Sequence, residues 1–323
     1  MILKGGGKNN FCAKIFLRFL KFSELKMNFF RLGFLVFAAL LTACASPEKV
    51  APAPEIRAET SVAVPENILE KFKTTEQNFT AYKNIPYEKK ISENVLIDVF
   101  LPDKNVFPGK SPVILWIHGG GFRQGDKGKI TEKIPLLKNG FAVAAINYRL
   151  LDEAAWPAQI HDAKTAVRFL RAGAKVFEID SEKIGALGFS AGGNLAALLG
   201  TTAGVEIFEG KNLGFPNFSS EVVAVADLYG SAGFAEQKIA CRKNTLRCGA
   251  IEFVGKNNAA FLLIHGDLDK IVPVEESQEF HKKLTAAGAD SKLIVAKNRG
   301  HGDGILENYA AEILEFFEKK LKN

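Results

Sequence analysis

Six short apolar runs alternate with longer amphipathic stretches in this chain. The runs are PVILWIHG (112–119), FAVAAINYR (141–149), KIGALGFS (183–190), VVAVADLYG (222–230), FLLIHGD (261–267) and SKLIVAKN (291–298); the helix-like stretches fall near 128–138, 157–175, 192–201, 275–287 and 306–322. A run that is apolar at every position, rather than at every second one, belongs to a strand covered on both faces, and a helix between two such strands lets them run parallel. The pattern predicts an α/β fold with a mostly parallel central sheet and helices on both faces. Ahead of these runs, YEKKISENVLIDVFLP (87–102) predicts a hairpin of two strands. No Pro/Gly-rich break interrupts residues 81–323, so one domain is expected there. In open α/β sheets ligands bind outside the carboxyl ends of the strands, which is where chemistry is to be sought.

Three of those ends carry it. Gly188-Phe189-Ser190-Ala191-Gly192-Gly193 follows the apolar IGAL and precedes the helix-like NLAALLG. A strand-to-helix reversal this tight needs glycine on both sides of the serine, because side chains there would collide, and it lifts the hydroxyl into the open. His118-Gly119-Gly120-Gly121-Phe122 closes PVILWI; consecutive glycines leave backbone N–H groups unshielded, and such donors stabilise a developing oxyanion. A phosphate cradle would want the glycine loop to end in Gly-Lys-Ser/Thr or to run GxGxxG, and the loop at 118–122 does neither. The third feature is a pair of downstream ends, His265-Gly266-Asp267-Leu268-Asp269 and Arg299-Gly300-His301-Gly302-Asp303.

A serine hydroxyl needs a base to become nucleophilic, and the imidazole that serves needs an acid to fix its tautomer. Of five histidines, His118 belongs to the glycine loop, His265 lies within a strand run, and His161 and His281 fall on helix-like stretches. His301, in a glycine-flanked loop after the last strand, is left as the base, with Asp269 or Asp267 as its acid.

These motifs make the chain similar to the α/β-hydrolase superfamily. Within it the chain resembles the carboxylesterase side, related to hormone-sensitive lipases and to the acetylxylan and feruloyl esterase group. The resemblance covers about residues 82–320. It is carried by HGGGF (118–122), NYRL (147–150), PAQIHDAK (157–164), GFSAGG (188–193), the HGxxDxxVP pattern from His265 to Pro273, and GHG (300–302). It implies Ser190 as nucleophile, Asp269 as acid, His301 as base, and the amides of Gly120, Gly121 and Ala191 as the oxyanion hole, with His118, Gly119, Gly188 and Gly192 completing the motifs. It also implies hydrolysis of carboxylic esters through an acyl-enzyme, without metal or organic cofactor, on small-molecule or acylated saccharide esters as a deacetylase or feruloyl esterase would. The same machinery serves amide bonds, so an amidase, an arylformamidase or a peptidase is the alternative expectation, and a non-catalytic surface binding module a further one. The segment 231–258 is shorter than is usual in such enzymes.

The N-terminal region reads as an address. From Met27 a charged start leads into LGFLVFAALL (32–41) and then Thr42-Ala43-Cys44. That order is the pattern of a secretory signal, and Leu41 to Cys44 resembles a bacterial lipobox, in which the cysteine is lipidated after cleavage. Residues 1–43 are thus expected to be removed, with translation starting at Met27, and 44–80 to be a Pro/Ala-rich tether from a lipid anchor at Cys44. An exported protein on the periplasmic or surface face of a bacterial membrane is the expectation. Cys241 and Cys248 could form a small disulfide loop in that compartment, or stay as thiols.

Charge confirms where the basic excess sits. Of 42 bases and 36 acids, seven bases and one acid fall in residues 1–44, leaving 35 of each in the remainder. A basic-groove nucleic-acid binder loses its support on that distribution.

Overall fold

The computed structural model describes residues 64–88, 95–210, 212–233, 249–255 and 258–323, all within one compact unit, Thr60–Asn323. Cys44, the residues before it, most of the expected tether, and Cys241 and Cys248 lie outside the described residues.

The strands are β1 (Lys73–Glu76), β2 (Phe79–Pro86), β3 (Leu96–Phe100), β4 (Ser111–Ile117), β5 (Ala142–Ile146), β6 (Ile179–Phe189), β7 (Ala224–Leu228), β8 (Ala260–Gly266) and β9 (Ser291–Ala296). They form a single sheet in the order β1-β2-β3-β5-β4-β6-β7-β8-β9. The first three strands and the β3/β5 pair are antiparallel, whereas every pairing from β5 across to β9 is parallel. The six apolar runs are β4 to β9. Strands β5 and β7 are buried at every residue, as strands covered on both faces must be.

Helices follow the predicted stretches: α2 (Ile134–Lys138), α3 (Ala158–Ala172), α4 (Ala191–Thr201), α6 (Val274–Ala286), α7 (Ile305–Asn308) and α8 (Ala310–Leu321), with short α1 (Glu66–Leu69) and α5 (Glu206–Glu209) besides. One core cluster packs Ile160, Val167 and Leu170 of α3, Leu195 and Leu198 of α4 and Phe280 of α6 against one face of the sheet. The second packs Leu136 and Leu137 of α2 and Ile313 and Phe317 of α8 against the other. The mostly parallel sheet between two helix layers is the expected α/β-hydrolase fold.

Two boundaries differ from expectation. The folded part reaches back beyond 81: Val64 and Leu69 are buried in the first cluster, and β1 with the start of β2 occupies residues assigned to the tether. The hairpin is real but sits earlier, β2 at Phe79–Pro86 pairing with β3 at Leu96–Phe100 rather than both arms lying in 87–102. The cause is the edge position. β1 has three exposed residues and one half-buried, so its composition (KTTE) resembles a linker.

Candidate active site

Four of the five neighbouring parallel strands β4-β6-β7-β8-β9 deliver the site from one edge of the sheet. The loop 118–122 follows β4, Ser190 follows β6, Asp269 lies beyond β8 and His301 beyond β9. Parallel pairing is what brings residues far apart in sequence to the same edge.

Ser190 occupies the single residue between β6 and α4, with φ 53° and ψ −116°. A side chain in that region stores about 1–3 kcal/mol of strain, and surrounding contacts must hold it there. The Ser190 amide donates to the Leu228 carbonyl at 3.0 Å. The flanking glycines are required by space: a Cβ on Gly188 would lie 2.0 Å from the Gly192 carbonyl oxygen, and one on Gly192 would lie 2.2 Å from that of Ile117. Ser190 is nearly buried, 7% exposed.

His301 Nε2 lies 2.8 Å from Ser190 Oγ, and its Nδ1 lies 2.7 Å from Asp269 Oδ2. An ionised carboxylate can only accept, so Nδ1 carries the proton and donates it to Asp269. Nε2 then offers its lone pair to the Ser190 hydroxyl, the arrangement a general base requires. Asp269 has a fully buried side chain, yet every lone-pair direction is used. Its Oδ1 accepts from the Ile271 and Val272 amides at 2.8 and 2.9 Å. Its Oδ2 accepts from His301 and faces His265 Nε2 at 3.2 Å. Asp267 does something else. Its Oδ1 accepts from the Asn298 amide at 2.7 Å and its Oδ2 lies 3.5 Å from Lys297 Nζ, so it fastens the loop leading to His301 without touching the imidazole.

The Tyr229 ring packs edge-on against His301 at 4.9 Å. Burial, reinforced by the carboxylates of Glu307 and Asp269, pushes its hydroxyl up to about 12, so it remains a neutral wall for the imidazole.

The glycine loop presses on the elbow. A Cβ on Gly119 would lie 2.8 Å from the Phe189 carbonyl oxygen and 3.3 Å from Ser190 Cβ. Gly120 and Gly121 follow with φ 113° and 61°, a left-handed turn that glycine alone enters freely. Ala191 opens α4, so its amide has no carbonyl one turn back to donate to. His118 is buried, donates from Nδ1 to the Gly119 carbonyl at 2.7 Å, and stacks on Tyr148 at 4.4 Å. The Tyr148 hydroxyl donates to the His118 carbonyl at 3.0 Å.

Arg149 reaches Asp162 of α3 with Nη2 at 2.6 Å and Nε at 2.8 Å. The NYRL and PAQIHDAK motifs thus form one bidentate clamp behind the loop. His161 and His281 serve locally, beside the Ile207 carbonyl and the Ser291 hydroxyl.

Two groups at this edge had no sequence signal strong enough to single them out as partners of the site. One is His265 beside Asp269. The other is Asp227 of β7, whose Oδ1 accepts from the Gly230 amide at 2.9 Å and would meet a Cβ on Gly193 at 2.2 Å. Burial pushes that carboxyl up to about 7. Among the described residues, no group of three His, Cys, Asp or Glu side chains could hold a metal ion.

A mostly parallel sheet with a serine on the strand-to-helix elbow, and an imidazole and carboxylate from later strand ends, defines the α/β-hydrolase class. The BD-FAE family model matches residues 97–284, and the chain belongs to that family. Esterase LipC of Mycobacterium tuberculosis is 28% identical over 225 residues, 61% of this chain and 54% of that protein. An acetylxylan esterase of Xylanibacter ruminicola is 25% identical over 183 residues, 52% of this chain and 36% of that protein. The chain spans about half the length of the first curated relatives it matches. Among solved structures, the truncated form of a carbohydrate esterase from gut microbiota superposes with a TM-score of 0.69 at 30% identity, covering 79% of this chain and 99% of that one. Family and neighbours agree on the α/β-hydrolase fold, and the relatives and the neighbour just named are esterases.

Proposed function

We propose that this protein is a serine carboxylesterase working through an acyl-enzyme. His301 takes the Ser190 proton as Oγ attacks the ester carbonyl. The amides of Gly120, Gly121 and Ala191 receive the oxyanion. The imidazolium, held by Asp269, returns the proton to the departing alcohol, and water repeats the sequence to release the acid. The observation that carries this reading is the unbroken line from Ser190 Oγ through His301 to Asp269. The substrates proposed are acetylated or feruloylated saccharides. Support comes from the names of two relatives, an acetylxylan esterase and a carbohydrate esterase. A panel of acetyl, butyryl, octanoyl and feruloyl esters, on nitrophenol and on xylose, tests it. The expected result is a kcat/KM on acetyl or feruloyl xylosides at least about 10-fold above that on octanoyl esters. Preference for octanoyl esters would refute the saccharide assignment while leaving the esterase intact.

We also propose export and anchoring through Cys44, on the support of the LTAC sequence at 41–44. The intact mass of protein extracted from bacterial membranes should show a lipid on a chain beginning at Cys44, and Cys44→Ala should move the protein out of the membrane fraction. An unmodified chain retaining residues 1–43 contradicts the anchor.

A further inference from the structure

The line of hydrogen bonds does not stop at Asp269. His265, the penultimate residue of strand β8, is fully buried, and its Nε2 lies 3.2 Å from Asp269 Oδ2, the oxygen that also accepts from His301. The same Nε2 lies 2.9 Å from the Val272 carbonyl oxygen. A carbonyl and a carboxylate can only accept, so Nε2 must carry a proton, shared between the two. On the other side of the ring, Nδ1 lies 2.7 Å from Ser277 Oγ on α6. With the proton on Nε2, the neutral imidazole, which burial favours, leaves Nδ1 to accept from the Ser277 hydroxyl. Ser277 is itself nearly buried. An imidazole locked in one tautomer from both sides, with one N–H aimed at the acid, is a defined element and not core filling.

From this geometry we infer that His265 is a positioning residue for the reaction: its N–H, fixed by Ser277 and Val272, holds Asp269 Oδ2 in place and draws off part of the charge that His301 sees. The inference rests on the triad reading and extends it from three side chains to five, Ser190-His301-Asp269-His265-Ser277. Its physical consequence has a sign. A second donor on the carboxylate weakens its hold on a protonated His301, so the imidazole releases its proton more readily. Removing that donor makes His301 hold a proton to higher pH and, separately, frees Asp269 Oδ2 to drift. Among the described residues, Asp269 and His301 are the charged or titratable groups that act most strongly on His265. Ser277 of α6 and Val272 are neutral, its strand neighbour on β9 is Val295, and the hydroxyl of Tyr229, beyond His301, stays protonated.

The test uses His265→Phe, His265→Gln and Ser277→Ala in the full chain, with kcat and KM measured across pH on a soluble acetyl ester. His265→Phe should lower kcat about 10- to 100-fold, the scale of a lost hydrogen bond to a charged group. KM should stay within about 2-fold, and the acid limb of kcat/KM should move to higher pH. His265→Gln, which keeps an N–H, should recover part of both effects. Ser277→Ala, which only releases the tautomer lock, should show the same direction at smaller size, and it covers the case in which His265→Phe does not fold. Variants that lose thermal stability while the acid limb stays fixed would make His265 merely structural and overturn the inference. So would full activity in Ser277→Ala and His265→Gln with an unmoved limb. Labelling of the parent chain by a fluorophosphonate in the same preparations separates the two claims: an unlabelled parent removes the triad itself, whereas a labelled parent with an unmoved profile removes only the role of His265.

Discussion

Ser190→Ala is expected to lower kcat on a nitrophenyl acetate by on the order of a million-fold, to a residue set by the oxyanion donors and substrate binding alone. The size follows from what the hydroxyl does. In the proposed mechanism it forms the covalent bond of the acyl-enzyme, and among the described residues His301 Nε2 is the base placed on Oγ, while the carboxylate beyond it is sealed by four donors. Stability should hardly change. Alanine keeps the Cβ that abuts Gly119, and the strained φ of 53° is unchanged by the substitution. The unfolding midpoint in urea should therefore correspond to a stability change within about 1 kcal/mol. Comparable turnover by parent and variant, with both folded, would remove Ser190 from the chemistry.

Asp269→Asn has the second largest expected effect, a loss of about 10,000-fold in kcat, the scale on which a serine triad depends on its acid to hold the imidazole in the right tautomer. The orientation of the new amide is dictated by its surroundings. The Ile271 and Val272 N–H groups at 2.8 and 2.9 Å require an oxygen on their side. The NH2 group must then face Oδ2's former partners, His301 Nδ1 and His265 Nε2, donor against donor. His301 relieves the conflict by moving its proton to Nε2, which turns the base toward Ser190 into a donor and stops proton abstraction. Asp267→Asn, by contrast, keeps an oxygen for the Asn298 amide and loses only an exposed Lys297 contact, so a loss under about 10-fold is expected. Steady-state kinetics of the two variants on one ester decide between the carboxyls. A larger loss at Asp267 than at Asp269 would reverse the assignment.

Much of this was legible in the sequence because burial on both faces leaves a simple mark. Strands β4, β5, β7 and β8 and the second half of β6 read as largely apolar runs, and their carboxyl ends follow from residue type alone. The elbow was legible because Gly188 and Gly192 have no room for a Cβ, a constraint that writes itself directly into residue type. His301 emerged by elimination among five histidines. What stayed hidden depends on how the chain turns back on itself. β1 and β2 lie at the antiparallel edge, where side chains such as Thr74 and Thr75 are exposed and the composition is that of a linker.

His265 and Asp269 are four residues apart, a spacing that says nothing about contact until the loop after β8 folds the carboxyl under the ring. One signal was available: a histidine at the end of an otherwise apolar strand is buried, and a buried imidazole must find partners. Asp227 carried the same signal. The support of the glycine loop by Tyr148, and of Tyr148's neighbour Arg149 by Asp162, was present only as unexplained motif residues.

In the proposed mechanism the Ser190 hydroxyl is made reactive by its neighbours, and that reactivity can be read at a single residue. The purified chain should be treated with a fluorophosphonate, digested and mapped by mass spectrometry, with His301→Ala beside it. One phosphonyl adduct on the peptide containing Ser190, formed rapidly in the parent and lost or slowed at least about 1,000-fold in the variant, is the predicted result. An adduct elsewhere, or labelling of Ser190 at the same rate without the imidazole, would contradict it.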